Sequence, residues 1–264
     1  MPQIEADGAT LHYEMRGDGP AVVFVHGSGG SALSWWQQVP HFAQRHRVVA
    51  FDHRGFGRSA CDGADALDPA RFAGDLAAIL DHAGIERAAL VCQSMGGWTG
   101  LAFALAHPAR SAALVLAGTP GGVATPRIAQ DAAGVPQRIA ERGFLGMALA
   151  PDFPQRDPMR AFLYEQIASL NPPATLPTLL PKLGALRVEP AQLADFAVPT
   201  LVTVGTEDSF FSVEGLREVA AAIPRARFHV FPGVGHSAYF EEPAAFNGIV
   251  DAFFEEIAPW RSSS

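Results

Sequence analysis

The chain has 264 residues, of which 48% are hydrophobic and 17% charged, with a formal net charge of −8. This is a globular composition, long enough for a large core, and the acidic balance with scattered arginines excludes a nucleic-acid surface. No apolar run reaches the ~20 residues of a membrane span, and Met1-Pro2-Gln3-Ile4-Glu5 lacks the basic stretch and apolar core of a secretory signal. Two cysteines, Cys61 and Cys92, are too few for a disulfide framework or a zinc site, so no metal and a reducing cytoplasm are expected.

The first segment with periodicity is Gln3–Ala6, followed by the alternating, half-buried strand Thr10–Met15. Ala21–Val25, Val48–Phe51, Ala88–Val91 and Ala113–Ala117 are short continuous apolar runs, the signature of strands covered on both faces of a parallel sheet. Between them, Pro69–Ala83 places Phe72, Leu76, Ile79 and Leu80 at helical spacing and stops at Gly84. The character changes over 121–197, where prolines are frequent and no strand is evident; Ile128–Ala140 and Met159–Leu170 look helical. The rhythm then resumes with a strand at Thr200–Val204, a helix at Val213–Ile223, a strand at Arg227–Phe231 and a closing helix over Pro243–Ile257. The expectation is an α/β core built from 1–120 and 198–260, a helical cap over 121–197 above the strand C-terminal ends, and a frayed tail at 261–264.

Ser94 ends the run Leu90-Val91-Cys92-Gln93, and Gly96-Gly97 then open the helical segment Trp98–Ala106. A serine at such a turn projects its hydroxyl above the sheet edge, with the first amides of the helix facing whatever it attacks; the competing reading is an ordinary N-cap. A serine needs a base, and the base needs a carboxylate. Of nine histidines, His236 lies in the glycine-rich loop Pro232-Gly233-Val234-Gly235-His236-Ser237 after a strand. Asp208 follows the strand Thr200–Val204 and precedes a helix; its neighbour Glu207 competes for the same role but points the opposite way in extended chain. Asp52 is read as fixing the turn Asp52–Ser59, and the other histidines as structural. The loop His26-Gly27-Ser28-Gly29-Gly30 closes a buried strand, and its Ser28 amide paired with that of Met95 makes a candidate oxyanion hole. No Gly-Lys-Ser/Thr follows, which argues against a phosphate loop.

With these residues in place, the sequence resembles the α/β-hydrolase fold family over nearly its whole length. The His26-Gly27 loop, the Asp52–Ser59 turn, the Ser94 elbow, Gly205-x-x-Asp208 and Gly235-His236 fall in family order. The resemblance implies an eight-stranded sheet with a Ser94–His236–Asp208 triad beneath a helical cap. Cys92 departs from it, standing where the Gly-x-Ser-x-Gly elbow has its first glycine, and a tightened elbow is expected there. As a rival nucleophile Cys92 is disfavoured, since it ends a buried strand. His26-Gly27-x-Gly29 followed by Trp35, Ser94-Met95-Gly96-Gly97 and Thr119-Pro120-Gly121-Gly122 are similar to hydrolases that split C–C bonds in ring-cleavage products. Those enzymes carry asparagine before the serine and tryptophan after the histidine, where this chain has Gln93 and Ser237.

The expected function is a cofactor-free serine hydrolase acting on a small apolar carboxylic ester or lactone, with Gly27, Gly29, Trp35 and Trp98 contacting substrate. Alternatives are C–C hydrolysis of a vinylogous diketone, a perhydrolase and a small-molecule receptor. The partner is a small-molecule substrate, with no nucleic acid or membrane, and a homo-oligomer is left open. The cap arginines, Arg127, Arg138, Arg142, Arg156, Arg160 and Arg187, are read mainly as solvated.

Overall fold

The computed structural model describes residues 2–63, 67–172 and 175–257, so the tail expected at 261–264 lies outside the described residues. The N-terminal half runs β1 (Gln3–Ala6), β2 (Ala9–Arg16), β3 (Ala21–Val25), α1 (Gln38–Phe42), β4 (Arg47–Phe51), β5 (Ala60–Cys61) and α2 (Phe72–His82). It continues through β6 (Ala88–Gln93), α3 (Gly96–Ala106) and β7 (Ser111–Ala117). Four helices follow: α4 (Pro126–Gly146), α5 (Phe153–Arg156), α6 (Pro158–Ser169) and α7 (Thr175–Ala185). The chain closes with β8 (Thr200–Gly205), α8 (Val213–Ala222), β9 (Arg227–Phe231), α9 (Ala238–Glu241) and α10 (Pro243–Glu256).

The sheet order is β1-β2-β4-β3-β6-β7-β8-β9, antiparallel at β1–β2 and β2–β4 and parallel from β4 onward. A ninth strand, the two-residue β5, adds to the expected eight by pairing with β2. Every residue of β3, β6, β7 and β8 is buried, because helices cover both faces of the sheet. On one face Leu76, Ile79 and Leu80 of α2, Leu101 of α3 and Leu216 of α8 pack against the strands. On the other, Trp35, Phe42, Phe246 and Phe254 pack with Phe24 and Val91. Each fully buried aliphatic or aromatic side chain of this kind contributes about 1.5–3 kcal/mol, which is what holds the sheet rigid beneath the site.

The helical insertion leaves after β7 and returns before β8. Its two ends are tied by a parallel bridge between Val123 and Val188, so the segment is not purely helical. α4 is longer than the expected Ile128–Ala140. Thr125 caps it by accepting from the Ile128 amide, and Pro126 supplies a preset first turn. The helix breaks at Gly143 (φ 70°, ψ 158°), a conformation that favours glycine. α5 and α7 are additional to the two helices expected in this segment; Pro154 sits in the first turn of α5, where a missing N–H costs nothing. Among the described residues no helix is long and apolar enough to cross a membrane.

Candidate active site

The parallel register aligns the C-terminal ends of β3, β6, β7, β8 and β9 at one edge, and the loops leaving that edge carry the chemistry. Ser94 follows β6 with φ 50°, in the left-handed region a side chain enters only when its surroundings dictate it. Its amide donates to Ala117 O (3.1 Å), and its carbonyl accepts from Gly97 N (2.8 Å). Glycines make the turn possible: a Cβ on Gly96 would stand 2.9 Å from His26 O, and one on Gly97 would collide with Thr119. Cys92 is fully buried beneath the elbow, and burial pushes its thiol well up, so it is neither exposed nor ionised.

His236 meets Asp208 as the sequence order requires. His236 Nδ1 lies 2.9 Å from Asp208 Oδ2, both side chains being buried. Asp208 Oδ1 accepts from the amides of Phe210 (2.8 Å) and Phe211 (3.1 Å), which fixes the carboxylate plane. A carboxylate oxygen accepts, so Nδ1 carries the proton and Nε2 presents a lone pair. Phe210 packs on the imidazole with ring centroids 4.5 Å apart. Glu207, the competitor, is exposed, with its carboxylate beside the Thr206 hydroxyl.

The glycine loop after β3 is organised by His26, which is fully buried. Its Nε2 accepts from the His53 amide (2.9 Å), so Nδ1 is the protonated nitrogen and donates to Gly27 O (2.7 Å). Burial holds both His26 and His53 below the ordinary histidine range, with His26 also depressing His53. Ser28, Ser94, Met95 and Trp98 line one cavity of about 660 Å³ between the sheet edge and the helical insertion. Its remaining walls are almost wholly apolar, including Ile128, Ile139, Phe144, Leu183 and Phe210.

Three of the expected substrate contacts, Trp35, Gly27 and Gly29, are not among the residues that line this cavity. Trp35 is fully buried in the core, its ring centroid 4.9 Å from that of Phe24 and 4.4 Å from that of Tyr239. A tryptophan on a short 3-10 turn packed against the sheet satisfies the same apolar signal as a pocket residue. Gly27 and Gly29 are not cavity-lining residues either. Gly27 gives room to the elbow, since a Cβ there would sit 2.9 Å from Ser94 Cβ and overlap Gln93. Gly29 offers its carbonyl to Asn171. Of the cap arginines only Arg187 lines the cavity, and its Nε lies 3.5 Å from Glu189, both side chains being more than half exposed.

Two residues that sequence reasoning missed tie the insertion to the site. Asn171, just after α6, accepts from Gly57 N (2.9 Å) and donates to Gly30 O (3.1 Å) and Gly29 O (3.3 Å). Glu241 is buried under the His236 loop: Oε1 accepts from Gly235 N (3.0 Å), and both oxygens lie 3.2 Å from Ala150 N. Its signal in the sequence was a carboxylate in the apolar segment Ala238-Tyr239-Phe240, five residues past His236. Ser237 is occupied by Tyr164, hydroxyl to hydroxyl at 3.0 Å, and Gln93 Nε2 donates to His236 O (3.5 Å).

A serine elbow in the left-handed region, with an imidazole oriented by a carboxylate in the loops after later strands of the same sheet edge, matches the arrangement of α/β-hydrolases. The chain belongs to that family: the family model described as alpha/beta hydrolase fold matches residues 20–243. It is a hydrolase. It is 32% identical to the 2-hydroxy-6-oxononadienedioate/2-hydroxy-6-oxononatrienedioate hydrolase of Paraburkholderia xenovorans (strain LB400), over 94% of this chain and 92% of that protein. It is 30% identical to the 2-hydroxy-6-oxo-6-phenylhexa-2,4-dienoate hydrolase of Comamonas testosteroni, over 93% and 91%. Among solved structures, one described as an N-acyl homoserine lactone degrading enzyme superposes with a TM-score of 0.81 at 29% identity, covering 96% of this chain and 100% of that one.

Proposed function

We propose that the chain is a cofactor-free serine hydrolase of an apolar carboxylic ester or lactone. Ser94 Oγ attacks the carbonyl carbon while His236 Nε2 takes its proton. Asp208 holds the imidazole in the Nδ1–H tautomer and stabilises the imidazolium that forms. The amides of Ser28 and Met95 receive the oxyanion, a contribution of about 3 kcal/mol per donor in such sites. The tetrahedral intermediate collapses to an acyl-enzyme as the imidazolium gives its proton to the leaving oxygen. Water activated by His236 then releases the acid. The observation that carries the acid–base assignment is the 2.9 Å contact between His236 Nδ1 and an Asp208 carboxylate whose other oxygen is held by two amides.

The apolar cavity favours an ester or lactone bond. Apart from Ser28, Ser94, Thr125 and Arg187 its lining side chains are apolar, and burying a charge without a partner there is costly. An ester or lactone needs only the nucleophile, the oxyanion donors and apolar walls. C–C hydrolysis is the second reading, favoured by the 32% and 30% identities to hydrolases of ring-cleavage products. Against it stand the two departures at the site, Gln93 and Ser237, both engaged inside the protein.

The test is covalent labelling by an active-site phosphonate, followed by steady-state kinetics on aryl esters, a lactone and a dienone ketoacid. Labelling at Ser94 and a higher kcat/KM on the esters or lactone is the expected result. A tenfold preference for the dienone, about 1.4 kcal/mol in the barrier, replaces this reading with the second. Tight binding of these compounds without labelling or turnover replaces it with a receptor.

A further inference from the structure

α4 carries an apolar stripe at helical spacing, Ile128, Ala132, Val135 and Ile139, and all four residues line the cavity. Of the whole helix only Ile128 is buried. α4 is fastened at both ends: near its C-terminus Arg142 donates to the Ser209 hydroxyl and Phe144 packs on Phe210, and its first turns are tied to α8. Asp131 accepts from the Ser212 amide (2.8 Å) and hydroxyl (2.7 Å) at the start of α8, and the Arg127 amide donates to Glu218 of α8 (3.0 Å). Between those ends the apolar stripe faces the cavity that Trp98 and Leu183 also line. Trp98 Nε1 donates to Leu186 O (3.1 Å), so its indole presents a satisfied, apolar edge to that space. Among the polar lining side chains, Thr125 is engaged by the Ile128 amide and Arg187 is solvated beside Glu189, which leaves Ser28 and Ser94 for a reacting carbonyl.

We propose that this stripe is a subsite for a flexible hydrocarbon arm, and that the substrate is an ester or lactone carrying an unbranched chain. The inference rests on the reading of Ser94 as nucleophile. From Ile128 to Ile139 the helix rises about 16 Å, the reach of an extended chain of on the order of ten carbons. The cavity volume of about 660 Å³ lies well within the range that holds ligands larger than a short-chain ester. An apolar helix face left without cover is stabilised when hydrocarbon displaces water from it, so affinity and specificity have the same source.

The experiment uses the purified full chain and two ester series, one lengthening the acyl side and one the alcohol side, from about two to about twelve carbons. In one series kcat/KM climbs by about fourfold per methylene, the equivalent of about 0.8 kcal/mol each, and levels off near ten carbons. Ala132→Trp and Ala129→Phe put bulk into the cavity that the stripe lines. They lower kcat/KM for the longest ester, relative to that for the shortest, by tenfold or more. Calorimetry with straight-chain alcohols of the same lengths reads the subsite without turnover. Affinity climbs with length in the wild type and not in Ala132→Trp, with unchanged circular dichroism reporting an intact fold. Flat profiles in both ester series, with short esters turned over, overturn the subsite and leave the serine hydrolase standing. Absence of labelling and turnover alongside chain-length-dependent alcohol binding does the reverse.

Discussion

The sulfur of Cys92 fills the space in which a side chain at Gly100 would have to stand, with Leu114 closing the other side. The elbow's need for one small residue is thereby met from α3 instead of from β6. Gly100→Ala is expected to destabilise the fold by about 1–3 kcal/mol through overpacking, although alanine is the better helix former by roughly 0.5–1 kcal/mol. Cys92→Gly frees that space, so the double variant recovers most of the loss. Urea denaturation over the four proteins reads the coupling, and additive effects would show that the two residues do not share the space.

Ser94→Ala is expected to lower kcat by roughly 10⁴ to 10⁶ and to abolish phosphonate labelling seen by intact mass. The change deletes one hydroxyl at a turn, so the unfolding midpoint moves little. Retained labelling at another residue would remove Ser94 from the mechanism.

Asp208→Asn is expected to cost far more activity than Glu207→Gln. Asparagine turns an amide or a neutral oxygen to His236 Nδ1 and no longer holds the tautomer, a loss of about 10⁴ in comparable triads. Glu207 reaches solvent, and its replacement changes kcat/KM by less than about twofold. Steady-state rates on one aryl ester decide between them; the reverse order would place the carboxylate one residue earlier.

Much of this was legible because parallel strands buried on both faces leave continuous apolar runs, and Ala88–Gln93 and Thr200–Gly205 end within two residues of the expected limits. The Asp208–His236 contact was legible because each residue follows a strand at the same sheet edge. What could not be read depends on packing between distant segments. Trp35 looked like a pocket residue because an apolar side chain does not announce which side of a sheet it covers. Asn171 and Glu241 act on loops far along the chain, at Gly57 and Gly29 in one case and at Ala150 in the other. The cavity face of α4 carried the same period as any core-facing helix.

Glu241 gives the stability a pH dependence with a definite sign. Burial raises its carboxyl from an ordinary value near 4.5 to about 7, against the opposing pull of the Gly235 and Ala150 amides and Arg156. The folded state thus binds this proton more tightly than the unfolded chain. The contribution is fully present below about 4.5 and is lost as pH rises through about 7. Its size is on the order of 3 kcal/mol. The buried histidines His26 and His53, held low, act in the opposite direction, favouring the fold as pH rises past the ordinary histidine range. The difference between wild type and Glu241→Gln isolates the carboxylate: the two stability curves, from urea denaturation at a series of pH values, converge or diverge only between about 4.5 and 7. Parallel curves throughout would mean that Glu241 keeps one protonation state in folded and unfolded chains.

Asn171 belongs to the helical insertion, yet its carboxamide bridges two loops of the core, accepting from Gly57 and donating to Gly29 and Gly30. Gly29 adjoins Ser28, whose amide is the proposed oxyanion donor, and the loop there is otherwise glycine-rich and easily displaced. A donor misplaced by a few tenths of an ångström stabilises the transition state less while the ground state binds as before. Asn171→Ala is therefore expected to lower kcat by about tenfold, or 1.4 kcal/mol in the barrier, with KM changed by less than about twofold. Asn171→Asp keeps the acceptor for Gly57 but sets a carboxylate against two carbonyl oxygens, so it falls at least as far. Because Asn171 is only half-buried, neither variant should shift the thermal midpoint by more than a few degrees. Steady-state kinetics on a short aryl ester, which lacks the long hydrocarbon arm, separates this role from that of the α4 stripe. A raised KM with kcat intact would show Asn171 acting on substrate access through the insertion, and not on the loop that carries Ser28.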